Sequence, residues 1–459
     1  MSQLTLGARC FVDRWVWPPP RRWFVPISRT QRLRLRRPGL PRALFPSEDA
    51  ALRQLVADYE KASGNKIDLS IVPFVALRQK EVVAVTSGGV PDVMEDADVS
   101  FTPLNAWNDN LLDVSDIIET QKSRFSEVVL AGRHLYNNVK KERSYYGVPM
   151  KTASTTFHIW RSLVEKAGYK ASDIPKTWDA FYDFFLPMQG KLRDQGMRHV
   201  YALCLEVSTN GGDPLATFNA NMIANGGQNL VTPNGQLHAD DPQVREAVIK
   251  TLTRFAKLFK DGHVPPEVVN WNDQDNNNAF HAKSVILCFN GSLSIELAQI
   301  DQKEVYADQI THGLPLGNDG KPLPAQIGVG GVVIPKGAKN VAVSKEFTKY
   351  SIEPEVLNKY LKGGLGRWAL PYPEVAKSDP FWLHSGDPHR TTYITETLVG
   401  PTIPIYEAYS PAAAEMDAEH VFQVAWNDIV ANGMTPEVAA GKALKRATEI
   451  FAKYPIPQN

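Results

Sequence analysis

Asp96 and Asp98 close the segment Met94-Glu95-Asp96-Ala97-Asp98, directly behind the apolar stretch that begins at Val90. In open α/β sheets ligands bind at the C-terminal edge of the strands, where two carboxylates can take hydroxyl donors through charge-assisted hydrogen bonds. A second such feature is Trp271, which opens the run Trp271-Asn272-Asp273-Gln274-Asp275-Asn276-Asn277-Asn278. A large aromatic beside so many amides suits a hydroxyl-rich ligand better than an ordinary core. Arg367-Trp368, following Gly363-Gly364-Leu365-Gly366, would add a donor fork and a stacking plane. Each has a structural alternative: helix capping near Ser100 for the aspartates, loop packing for Trp271, an interlobe salt bridge for Arg367.

Other chemistries find little support. Glu95 and Asp98 are acids of the kind a glycoside hydrolase or lyase uses, but spacing alone fixes neither their separation nor their protonation. Gly328-Val329-Gly330-Gly331 and Gly363-Gly364-Leu365-Gly366 lack the third glycine of a dinucleotide fingerprint, and no phosphate-binding GxxxxGK[ST] occurs. These glycines read as close-approach turns. HExxH, EF-hand and GxSxG patterns are absent, so neither a metal, a catalytic triad nor a cofactor is expected. Cys204 and Cys288 sit in apolar stretches and read as buried small hydrophobes, with a disulfide between them left open.

The elements that must carry these residues alternate. Leu52, Leu55, Val56 and Tyr59 keep a helical spacing between Ser47 and the stop at Gly64; Ile67, Leu69 and Ile71 then alternate as a strand. A helix over 76–87 and a short strand over 90–94 follow, the rhythm of a largely parallel sheet. Asp241-Pro242 and Thr435-Pro436 open later helices, and Thr177 is placed to cap one beginning at Trp178. A chain of 459 residues exceeds one compact core. No apolar run reaches the length that spans a bilayer.

Charge is unevenly spread. Residues 1–42 hold ten arginines and one acid, which leaves 40 basic and 49 acidic residues in the remaining 417, a formal charge of −9. That acidic body argues against a nucleic-acid surface. Arginines and prolines break every apolar run in residues 1–42, so this stretch shows no signal peptide and reads as a disordered or mis-annotated extension.

Taken in order, Gly88-Gly89-Val90-Pro91-Asp92, Tyr146-Gly147-Val148-Pro149, Pro175-Lys176-Thr177-Trp178, Ala279-Phe280 with Lys283, Gly328-Val329-Gly330-Gly331 and Thr435-Pro436-Glu437 resemble the extracellular solute-binding proteins of carbohydrate ABC importers, the maltose-binding type. The likeness runs from about residue 44 to the end. It departs at Ile159-Trp160-Arg161, where the family has a tyrosine-asparagine-lysine stretch, and Trp160 reads there as packing.

The resemblance implies an α/β, two-lobed periplasmic-binding-protein-like fold of type II with hinge-linked, discontinuous lobes. One lobe would take residues 43–152 and 328–350, the other 153–327 and 351–459, with crossings near 151–155, 326–330 and 350–354. Asp96 and Asp98 would face the ligand from the first lobe, and Asn210, Trp271, Asn290 and Trp368 from the opposite wall, with Arg367 as a donor and Gly330 and Gly331 letting backbone approach. It further implies a monomeric binding protein, not an enzyme, that works in the periplasm or outside the cell in association with the membrane. Such a protein passes a small molecule, a carbohydrate, to membrane permease subunits. A hydrolase or lyase, and a receptor of the same fold for a non-sugar solute, are the alternatives.

Overall fold

The computed structural model describes residues 32–39, 46–96 and 98–457. The strands are β1 (Arg32–Gly39), β2 (Lys66–Pro73), β3 (Val93–Glu95), β4 (His134–Asn137), β5 (Glu142–Tyr145), β6 (Val148–Ala153), β7 (Thr156–Trp160), β8 (Tyr201–Leu203), β9 (Val285–Asn290), β10 (Gln309–His312), β11 (Ala325–Val333) and β12 (Thr402–Pro404). The larger sheet runs β12-β11-β3-β1-β2, with β6 also paired to β11. Within it β1 lies parallel to β2 and β3, whereas β11 is antiparallel to β3 and β6. The second sheet runs β10-β7-β9-β8, and β4 with β5 forms a separate ladder.

Residues 32–39 differ from the sequence expectation. They form β1, in register with Lys66–Pro73, and do not belong to an unstructured extension. Arg32-Leu33-Arg34-Leu35 has the period of two that a strand needs, and backbone pairing does not require the continuous apolar run whose absence suggested disorder. The expectation for residues 1–31 and 40–42 lies outside the described residues.

Local signals set the helix ends. Helix Pro46–Ser63 buries Leu52, Leu55, Val56 and Tyr59 and stops at Gly64, whose φ of 75° is the left-handed conformation that glycine adopts without a Cβ clash. The Asp241 carboxylate accepts the Gln243 amide at 2.7 Å and opens Pro242–Lys260. Thr435 likewise accepts the Val438 amide ahead of Pro436–Phe451. Thr177 does not cap by side chain; the first amides of helix Trp178–Asp194 are taken by the Leu316 carbonyl at 2.8 Å and by Asn318 at 3.0 Å.

Each main sheet has its own core, which gives two lobes. Leu55, Tyr59, Val93, Val148, Val332 and Phe347 pack in the first, and Phe157, Phe181, Leu203, Val248, Phe289 and Ile450 in the second. Cys204 and Cys288 are buried free thiols in the second core. The packing does not change lobes at residue 351: Ile352, Leu357, Tyr360, Tyr372, Trp382 and Tyr393 all stay in the first core, and the second regains the chain at Tyr406. Helix Pro354–Gly363 brings Leu357, Tyr360 and Leu361 to the core that helix Pro46–Ser63 also fills. The third crossing therefore falls at β12, which pairs with Ala325, Gln326 and Ile327 of β11, and not at 350–354. The other two are the β6–β7 junction and the start of β11.

Candidate functional site

Between the lobes lies a cavity of about 290 Å³. The first lobe contributes Glu48, Arg78, Asp96, Asp98, Lys151, Arg367 and Trp368; the second contributes Asp213, Asn219, Asp273, Asn277, Asn290 and Glu407. The crossing segments themselves, Thr152 to Thr155 and Ala325 to Gly330 without Ile327, form part of the lining. A pocket walled by two lobes and floored by their connections changes shape when the lobes move.

Helix Phe74–Ser87 holds Arg78 at the mouth of this junction, with Nε 3.2 Å from Asp98 and Nη1 3.5 Å from Asp273 of the other lobe. Burial works against that charge, yet the two aspartates hold the Arg78 pKa above its ordinary value. A second bridge links the lobes where Ser100 Oγ donates to Asp417 at 2.7 Å. The acids beyond these contacts are strongly shifted. Burial, reinforced by Asp273, pushes Asp213 up to about 8 against the pull of Arg78. Burial and then Asp417 push Glu407 up to about 8.

Among the described residues, three buried polar atoms of the lining have no hydrogen-bond partner: Asn219 Oδ1, Gln326 Nε2 and Trp368 Nε1. Buried polar groups are almost always hydrogen-bonded, so a ligand with both donors and acceptors fits this wall. Among the described residues no cluster of His, Cys, Asp and Glu has the arrangement to hold a metal ion.

A family model for bacterial extracellular solute-binding proteins matches residues 43–357, more than half of the chain. The chain belongs to that family. This solute-binding protein is 25% identical over 321 residues to the arabinooligosaccharide-binding protein of Bacillus subtilis (strain 168), covering 66% of each chain. Its fold is similar to an ABC transporter solute-binding protein of Thermotoga lettingae TMO bound with alpha-D-tagatose, at TM-score 0.75 and 18% identity over 92% of this chain and 100% of that one. It is also similar to maltose-bound MalE3 of T. maritima, at TM-score 0.73 and 16% identity over 91% and 99% of the two chains. The fold is the two-lobed α/β type II arrangement.

The residues singled out from sequence in this solute-binding protein divide into two groups. Asp96, Asp98, Asn290, Gly330, Arg367 and Trp368 come together in the lining; Asn210, Trp271 and Gly331 do not. Asn210 is exposed and donates to the Asn270 carbonyl. Trp271 packs against the second core, and its carbonyl receives Ser208 Oγ. Gly331 does admit backbone, but it is the backbone of β6: a Cβ there would collide with the Val148 carbonyl oxygen.

Within the first group several residues are already engaged. Asp96 accepts from Arg133, from Thr102 Oγ1 at 2.8 Å and from the Gly331 amide at 2.8 Å, so its role is to lock β3 to β11. Asn290 donates to Asn277 at 2.8 Å and accepts from Ser292 and Ser294. Asp98 accepts the Ser100 amide at 2.9 Å, the capping alternative, and also pairs with Arg78 at 3.2 Å. Trp368 belongs to the first lobe, not the opposite wall, with Lys151 Nζ 4.6 Å and Arg367 Cζ 4.5 Å from its ring. Arg367 pairs with Glu48 of the same lobe at 3.0 Å. Trp160 is packing, fully buried and stacked on Phe280. Sequence reasoning missed Arg78, Asp213, Asn219 and Asp273, although Asp273 stands inside the polar run that drew attention to Trp271.

Proposed function

We propose that this protein is the substrate-binding component of an ABC importer, taking a sugar or short oligosaccharide into the interlobe cavity and handing it unchanged to membrane permease subunits. The observation that carries the reading is the cavity itself, where both lobes and two of the three crossings converge on a wall that leaves Asn219 Oδ1, Gln326 Nε2 and Trp368 Nε1 for a ligand to satisfy. Donors and acceptors interleaved with one aromatic suit a polyol, and the volume lies at the lower end of the several-hundred-Å³ range of small-molecule sites. Family membership and the sugar-binding relatives support the same reading.

Ligand contacts spanning both lobes would favour the closed arrangement, which the permease then reads. The protein acts as a monomer outside the inner membrane; no helix among the described residues is long and apolar enough to cross one. The first lobe comprises the described residues up to β6, the later part of β11 and residues 334–394, with Leu293 and Leu297 also packed in its core, and the second comprises the rest of β7 to β10 and the chain from Tyr406. Against a hydrolase, Glu95 is tied to Lys151 at 2.5 Å and Asp98 to Arg78. The test is calorimetry against a panel of mono- to tetrasaccharides and sugar alcohols, with chromatography of the recovered ligand. Saturable binding with the ligand returned intact is expected; no binding, or a cleaved ligand, refutes the assignment.

A further inference from the structure

The charges that line the cavity do not balance. Its cations, among the described residues, are Arg78, Lys151 and Arg367. Lys151 is paired with Glu95 at 2.5 Å and Arg367 with Glu48 at 3.0 Å, while Asp96 is neutralised by Arg133 from behind. Asp98, Asp213, Asp273 and Glu407 are then left with Arg78 as their counter-charge. Asp213 and Glu407 ease the imbalance by holding protons near neutral pH, but Asp98 and Asp273 alone outnumber the guanidinium.

Arg78 is fixed in this position. Its guanidinium lies between Asp98 and Asp273, and Gly212 lets it sit close, since a Cβ at that residue would stand 2.7 Å from Nη2. Asn219, 3% exposed, adds an acceptor oxygen without a donor to the same wall. An incoming carboxylate would meet a net negative surface in a partly desolvated site, where like-charge contacts are strongly unfavourable. Repulsion of this kind discriminates between ligands that attractive contacts alone would accept.

We propose that Arg78 and the acids around it set the charge specificity of the cleft, so that it takes a neutral saccharide, tolerates an amine-bearing one and turns away the uronic acid of the same configuration. The inference rests on the proposed function and deepens it by naming the ligand class.

The probes are the saccharide that binds most strongly in the panel, the uronic acid made by oxidising its primary alcohol, and the derivative carrying an amine in place of that alcohol. Calorimetry on the full chain is expected to give at least about tenfold weaker binding of the uronic acid than of its parent. Arg78→Met should widen that ratio and raise the amine relative to the parent, whereas Asp273→Asn should narrow it. Because each ratio is taken within one variant, a general loss of stability does not move it. Equal affinity for uronic acid and parent in the wild type, or ratios unmoved by both substitutions, overturns the inference alone. A protein that binds no saccharide of the panel overturns the proposed function and this inference together.

Discussion

Replacing Asp417 by asparagine should change how stability depends on pH. Asp417 lies on helix Pro411–Ala418, is 7% exposed, and accepts Ser100 Oγ across the lobe junction at 2.7 Å. Burial and the nearby Asp98 push its pKa up to about 7, against the pull of the Ser100 hydrogen bond and of Arg78. A carboxyl raised above its ordinary value keeps its proton in the folded state after the unfolded chain has lost it. Its contribution is therefore complete below about pH 4 and is lost as pH rises through about 7. One proton held only by the folded state costs about 1.4 kcal/mol per pH unit across that window. Between pH 5 and 7 the wild type should thus lose about 2 to 3 kcal/mol through this group, as an order of magnitude. Asparagine keeps the acceptor for Ser100 and does not titrate. It also relieves Glu407, whose second cause of shift is Asp417. Urea unfolding from pH 5 to 8.5 should show Asp417→Asn gaining on the wild type as pH rises, with the curves crossing or converging at the acid end. Parallel curves with the same pH slope would refute the reasoning.

Further predictions test other parts of the site and its frame. Trp271→Ala should leave ligand affinity within about twofold by calorimetry, since the residue lies outside the lining, whereas Trp368→Phe removes one buried donor and should cost about 1 kcal/mol, roughly fivefold. Glu296 and His158 are both fully buried and 2.5 Å apart, so Glu296→Gln should destabilise by about 3 kcal/mol or more in chemical unfolding. Although burial acts to raise it, His158 holds the Glu296 pKa down to about 2, so this pair stabilises above the ordinary carboxylate range and its benefit fades as pH falls from about 4.5 through 2; acid unfolding should begin at higher pH in the variant. Gly331→Ala forces β11 away from β6 and should lower the melting temperature by several degrees or prevent soluble expression.

Local signals were legible in the sequence because neighbours in the chain generate them. Gly64, Asp241 and Thr435 end or begin helices through contacts within a few residues, and the alternating elements foretold the α/β lobes. Thr177 misled because the carbonyl that receives the first helical amide comes from Leu316, far along the chain. The site was half visible. Asp98 lines the cavity from the first lobe as expected, and Trp368 lines it from that same lobe and not from the opposite wall; the polar run after Trp271 coils into helix Asp275–His281, turning Asn276 and Asn277 inward while Trp271 leans on the core. Arg78 looks like any charged residue of a helix until the fold brings Asp273 beside it. The crossing placed at 350–354 failed for a similar reason: nothing local announces that Ile352 to Ile394 fill the first core.

Three passages of the polypeptide through the waist have a practical consequence for anyone dissecting this molecule. No contiguous gene fragment encodes either half: a product ending before Ala325 would strip β3 and β6 of their shared neighbour, and one starting at Thr156 would carry β11 without β3 and β6, its partners in the first lobe. Domain-level work on this chain therefore calls for spliced or circularly permuted genes, with the cut placed on an exposed turn such as that at Asp319-Gly320 and not at a lobe boundary.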